Sequence, residues 1–125
     1  MIYLYVGIGG LIGASLRFLV GELMKSPDQF PYSTLFVNLT GSFILAWFTM
    51  GIVEKYSLTD KWKAALGTGL VGSYTTFSTL SMDAVSLYAR GDLLTSLLYI
   101  TLSIFGGLSF SLLGFYFGKR RTAVS

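Results

Sequence analysis

The 125-residue sequence contains no cysteine and no histidine. The first absence excludes disulfides, thiolate chemistry and haem attachment through cysteine. The second removes imidazole acid–base catalysis and the ligand on which most zinc and copper sites rely. Charge is also scarce, at 12% of residues, and the carboxylates are Glu22, Asp28, Glu54, Asp60, Asp83 and Asp92. They fall at or near predicted helix ends and form no pair with enzyme-like spacing, so the chain offers no catalytic constellation. The opening run, MIYLYVGIGG, lacks a basic leader and a small-residue cleavage site, and the first apolar segment is therefore expected to be retained.

What remains is apolar. Hydrophobic residues make up 53% of the chain and the mean hydropathy is +0.66, outside the range of ordinary soluble domains. A bilayer core takes roughly 20 mostly apolar residues per helix. Four stretches of that kind are predicted, at about 2–23, 32–53, 62–88 and 93–117, which makes the chain an all-α membrane protein whose residues 1–125 form a single four-helix transmembrane domain. The connectors are short, so consecutive helices are expected to be antiparallel neighbours. Lys55, Lys61, Lys63, Lys119, Arg120 and Arg121 lie on one side with both termini, and Lys25 and Arg90 on the other. The net charge of +3 therefore reads as topology rather than nucleic-acid binding, with both termini in the cytoplasm and the chain in the inner (plasma) membrane.

Several residues in the spans are more polar or smaller than a lipid-facing helix requires. Gly9 with Gly13, Gly10 with Ala14 and Gly114 with Gly118 are spaced for close helix packing. Arg17 lies about two turns from the end of the first span. Two readings fit it: snorkelling to the interface with help from Glu22, or a place in an aqueous vestibule that attracts anions. Thr34, Asn38 and Ser42 share one face of the second span, and Tyr99, Ser103, Gly107 and Ser111 repeat the spacing in the last. Lone hydroxyls usually bond the carbonyl one turn back, but the Asn38 amide adds two N–H donors that could replace the hydration of a small anion. In the third span GSYTTFSTLS, residues 72–81, combines a glycine with six serine and threonine hydroxyls, the composition of a helix that unwinds and restarts. Such a break is either a packing kink or the lining of a cavity. In a cavity it would offer carbonyls to a cation and free N–H groups to an anion.

These segments resemble the Fluc fluoride channels, the CrcB family, along nearly the whole chain. The resemblance runs through GGLIGASLRF, STLFVNLTGSF and GLVGSYTTFSTLS and the Tyr99 and Ser103 positions. It implies an antiparallel dimer of four-helix subunits, inverted relative to each other, with the third helix broken near its middle and two pores that let fluoride leave the cytoplasm passively. Asn38 would be the pore asparagine and Phe77 an aromatic whose positive ring edge faces the ion. Ser78 would add a hydroxyl, Thr34, Tyr99 and Ser103 would line a polar track, and Arg17 would sit in the vestibule. The backbone carbonyls of Gly72 and Thr75, from both subunits, would hold a structural sodium ion at the dimer interface.

The sequence departs from the family pattern in two places. Leu80 stands where a second phenylalanine is usual, and Ser73 where a second glycine is usual. Leucine presents no positive ring edge, so one ion position is expected to weaken, and Ser73 is expected to stiffen the break. Leu80 and the uneven Lys and Arg count together suggest an alternative, a subunit of fixed orientation that pairs with an oppositely inserted homologue, with its own pore weakened or non-conducting. A small multidrug-type exporter is a weaker rival, because that chemistry needs an embedded carboxylate and the first span offers only Glu22 near its end.

Overall fold

The computed structural model describes residues 1–25 and 30–124, without the side chains of Glu54 and 121–124, so the expectations placed on Asp28, Glu54 and Arg121 lie outside the described residues. Regular structure among the described residues is entirely helical. Three helical stretches are long and apolar enough to cross a membrane: Ile2–Leu23, Tyr32–Val53 and Leu93–Arg120.

The first span is one continuous helix of 22 residues. The second starts after Pro31 and is α-helical over Tyr32–Trp47, then widens into π-helical winding over Phe48–Val53. It stops at Ser57, whose positive φ of 48° ends the ladder. The last helix, Leu93–Val124, begins beyond a turn at Gly91 and continues past the expected end at residue 117. Gly91 has a φ of 84°, which a side chain would disfavour.

The stretch expected as a third span is built differently. It opens as an α-helix at Asp60–Lys63, becomes π-helical over Ala64–Val71, and returns to α for Gly72–Tyr74. Winding then stops: Thr75 is extended, with φ −84° and ψ 161°, and a new helix runs over Ser78–Ala89. The expected break is therefore at Thr75–Phe77. The π-helical segment before it is a feature the hydropathy pattern did not suggest; such segments are rare and concentrate at functional sites.

Glycines set the spacing of the helices. A Cβ at Gly9 would collide with the carbonyl of Ala65, and one at Gly13 with the carbonyl of Leu70 and the hydroxyl of Ser73. The first span and the π-helical segment thus touch backbone to backbone. Gly114 and Gly118 do the same against the carbonyls of Phe43 and Trp47, so both glycine pairs are packing contacts, as their spacing implied. Where the only competing contact is lipid, close approach of this kind supplies the association energy. Gly13→Leu should therefore cost about 1–3 kcal/mol or prevent folding, whereas Gly21→Leu, which meets open space, should cost little. Thermal unfolding in detergent compares the two.

Candidate functional site

The break leaves backbone groups without a helical partner at a depth where water is scarce, and each must be satisfied. At Thr76 a single side chain from the second span does this. The Thr76 N–H donates to Asn38 Oδ1 at 2.8 Å, and Asn38 Nδ2 donates to the Thr76 carbonyl at 2.9 Å. An amide suits this exchange because its acceptor and donor are separate atoms side by side, whereas a carboxylate has no donor and a hydroxyl must use one oxygen for both. Gly41, one turn along the same helix, makes room for this approach: a Cβ there would collide with Thr75 Cγ2.

The two sides of the break are tied down separately. Before it, the Ser73 hydroxyl lies 2.9 Å from the Gly10 carbonyl of the first span and 2.7 Å from the Gly69 carbonyl. Ser73 thus ties the segment before the break to the first span. After it, Thr76 Oγ1 accepts from the Thr79 N–H at 3.2 Å and caps the restarting helix. Its hydroxyl is also 3.4 Å from that of Ser78.

Two cavities flank this clamp, and Thr76 lines both. One, of about 280 Å³, is bordered by Asn38, Ser42, Gly72, Thr75, Phe77 and Leu80 among others. The other, of about 240 Å³, is lined by Arg17, Gly21, Ser33, Thr34, Val37, Thr76 and Thr79. Arg17 therefore faces a hydroxyl-rich hollow. Glu22 pairs with Lys25 at 3.1 Å and not with Arg17, which favours the vestibule reading over snorkelling assisted by Glu22.

The other expected residues are placed as follows. Phe77 is 79% exposed and borders the larger cavity with Leu80. Ser78 is exposed beside it and borders neither cavity. Thr34 is buried at the Arg17 cavity. Tyr99 is fully buried, and Ser103 bonds back to the Tyr99 carbonyl at 2.8 Å; neither borders either cavity. Gly72 and Thr75 lie on the larger cavity's wall. Leu80 also packs against the buried cluster of Ala84, Leu87 and Tyr99.

One sequence reading is corrected. Asp83 is not at a helix end but midway along Ser78–Ala89, and it accepts a hydrogen bond from the Tyr99 hydroxyl at 3.2 Å. The sequence reading missed it because the residue at which the broken helix restarts was not located; a start at Ser78 leaves Asp83 about midway along the second piece. Thr79, missed in the same way, gains its place on the Arg17 cavity from that restart.

An all-helical membrane chain with a clamped helix break between two cavities, one of them lined by Arg17 and hydroxyls, has the architecture of proteins that move small solutes across bilayers. The comparisons narrow this class. The profile of the CrcB-like protein, Camphor Resistance (CrcB), family matches residues 4–115, and the chain belongs to that family. Among its relatives, Fluoride-specific ion channel FluC 1 of Desulfitobacterium hafniense (strain Y51) is 44% identical over 87% of this chain and 96% of its own length. FluC 2 of Geobacillus kaustophilus (strain HTA426) is 45% identical over 92% and 91%. FluC 1 of Bacillus cereus (strain ATCC 10987 / NRS 248) is 39% identical over 94% and 88%. The relatives carry names of channels, not enzymes or exporters.

Replacing Asn38 by alanine strands the N–H and carbonyl of Thr76, at about 1–3 kcal/mol for each buried group. Amide hydrogen exchange at Thr76 should accelerate roughly tenfold to a hundredfold in Asn38→Ala. An unchanged rate would show that the clamp is not what holds the break.

Proposed function

We propose that the chain is a fluoride-selective channel that lets fluoride leave the cytoplasm passively across the plasma membrane. The observation that carries this reading is that Thr76, with its backbone held by Asn38, stands between the Arg17 cavity and the cavity at Phe77. An anion drawn in by Arg17 would meet the hydroxyls of Thr34, Thr76 and Thr79. It would then pass to the second Nδ2–H of Asn38, which has no partner among the described residues, and to Ser78 and the ring edge of Phe77. Fluoride is the smallest halide and the strongest hydrogen-bond acceptor, so a narrow run of donors and positive ring edges offsets its dehydration better than that of chloride. Tyr99 and Ser103 would act on this path from behind, by holding the packing of Leu80 and Asp83.

The segments Asp60–Tyr74 and Ser78–Ala89 together would make the remaining crossing and complete a four-helix subunit in a single transmembrane domain. The exposed Phe77 ring and the open wall formed by Gly72 and Thr75 support pairing with a second subunit, inverted as the family resemblance implies. The sodium ion implied at that interface fits the groups present. Gly72 and Thr75 offer neutral carbonyls on the open wall of the larger cavity, and oxygen ligands suit a hard cation. Two carbonyls from each subunit would then share one ion, which would supply an electrostatic tie between the two breaks.

Asp83 supplies the embedded carboxylate that a proton-coupled exporter needs. It is engaged by Tyr99, however, and the relatives are named as channels, so the channel reading stands. Leu80 keeps the heterodimer alternative in play, and one assay covers both forms. In liposomes loaded with fluoride, the chain expressed alone should give fast efflux, with chloride loading giving little. Asn38→Asp should lower the rate by more than about tenfold, because it loses the donor to Thr76 and adds negative charge to an anion path. Leu80→Phe should raise efflux; an unchanged rate would remove the missing ring as a limit. No efflux from folded protein would overturn the homodimeric channel and point to an inverted partner subunit.

A further inference from the structure

One end of the molecule carries a basic and aromatic collar that the conduction path does not use. It is assembled from the start of the first span, the end of the second, the start of the interrupted segment and the end of the last helix. Lys55, Lys61, Lys63, Lys119 and Arg120 are all exposed there, and Asp60 is the only carboxylate described beside them. None of these cations has an ion-pair partner among the described residues; the one described salt bridge, Lys25–Glu22, is at the opposite end. Three rings lie among the ammonium groups. Tyr5 and Trp62 meet edge to face at 5.8 Å, Lys61 Nζ is 5.8 Å from the centre of the Tyr5 ring, and Lys55 Nζ is 5.5 Å from that of Tyr56.

These positions have a direct chemical meaning. Tyr and Trp rings at the ends of spanning helices settle at headgroup depth. A lysine resting on such a ring keeps its charge there, at the level of the lipid phosphates, rather than extending into bulk water. Cations without carboxylate partners in that layer attract anionic headgroups, each adding appreciably to the affinity. We propose that this collar binds anionic phospholipids selectively, with Lys61 and Lys63 as the main phosphate contacts and Trp62 beside the bound lipid. An acidic protein is a poorer fit, because the cations are spread around the rim of the helix ends and interleaved with rings instead of lining a concave face. The collar would tie each subunit to anionic lipid in whichever leaflet its collar end reaches, and the proposal does not depend on which ion the protein conducts.

Trp62 is a built-in reporter, since the only other tryptophan is Trp47. With Trp47→Phe as background, Trp62 emission is followed in bilayers containing increasing fractions of brominated phosphatidylglycerol or brominated phosphatidylcholine. The anionic lipid should quench with an apparent affinity roughly fivefold higher, and the preference should shrink as salt is raised. Lys61→Gln combined with Lys63→Gln should bring the two lipids to near parity, and Lys25→Gln should leave the preference intact. Equal quenching by the two lipids in the Trp47→Phe protein would overturn the proposal without recourse to any lysine variant. So would a preference that survives the double substitution, or one abolished equally by Lys25→Gln.

Discussion

Thr76 has both its backbone groups taken out of the helical ladder inside a membrane-embedded fold, and the Asn38 amide accepts from one and donates to the other at 2.8 and 2.9 Å. The remaining features near the break are arranged around that exchange. It requires the second span to come close, which Gly41 permits. It also requires the preceding segment to be held still, which the Ser73 hydroxyl does through the Gly10 carbonyl. With the break fixed, Thr76 Oγ1 is free to cap the helix that restarts at Ser78, and that restart aims Thr79 at Arg17 and leaves Phe77 projecting from the subunit.

Packing in this molecule is dominated by backbone approach and not by large buried side chains. Few apolar side chains are buried within the subunit; Tyr99 and Val37 are the largest that are completely so. Most large apolar residues point outward, as lipid-facing and subunit-facing surfaces must. The glycine contacts at Gly9, Gly13, Gly114 and Gly118 replace the missing interior. Because these contacts are steric, they tolerate little adjustment. They therefore hold the first span against the π-helical segment and the last helix against the second span.

Much of this was legible in the sequence because membrane helices obey strong rules. Hydropathy located the three long spans, glycine spacing located the close contacts, and the density of glycine and hydroxyl residues after Gly67 located the break. The function of Asn38 was only half legible. Its N–H donors were recognised, but its carbonyl oxygen is equally engaged, and the partner is the backbone of a segment 38 residues away, which no local pattern encodes. Asp83 was misplaced for a related reason: the break was expected but its restart was assigned no residue, and against the 62–88 span as a whole Asp83 lies near an end, whereas a restart at Ser78 puts it midway along the second piece. The π-helical winding of Ala64–Val71 leaves no periodicity trace because Thr68 is that segment's single polar side chain. The fourth-span stripe of Tyr99 and Ser103 had the spacing of a pore lining, yet those side chains satisfy neighbours inside the subunit.

The central claim is that the clamped break separates two water-accessible cavities inside a membrane-embedded fold. The natural absence of cysteine makes this directly testable with single-cysteine variants and a small anionic methanethiosulfonate reagent added to the protein in liposomes. A cysteine at Thr79, on the Arg17 cavity, should be modified quickly, and one at Val85, which is exposed on the outer side of the same helix, should be protected by lipid. Equal protection at both positions would contradict the account, because the Arg17 cavity would then hold no water and the break would be a packing kink.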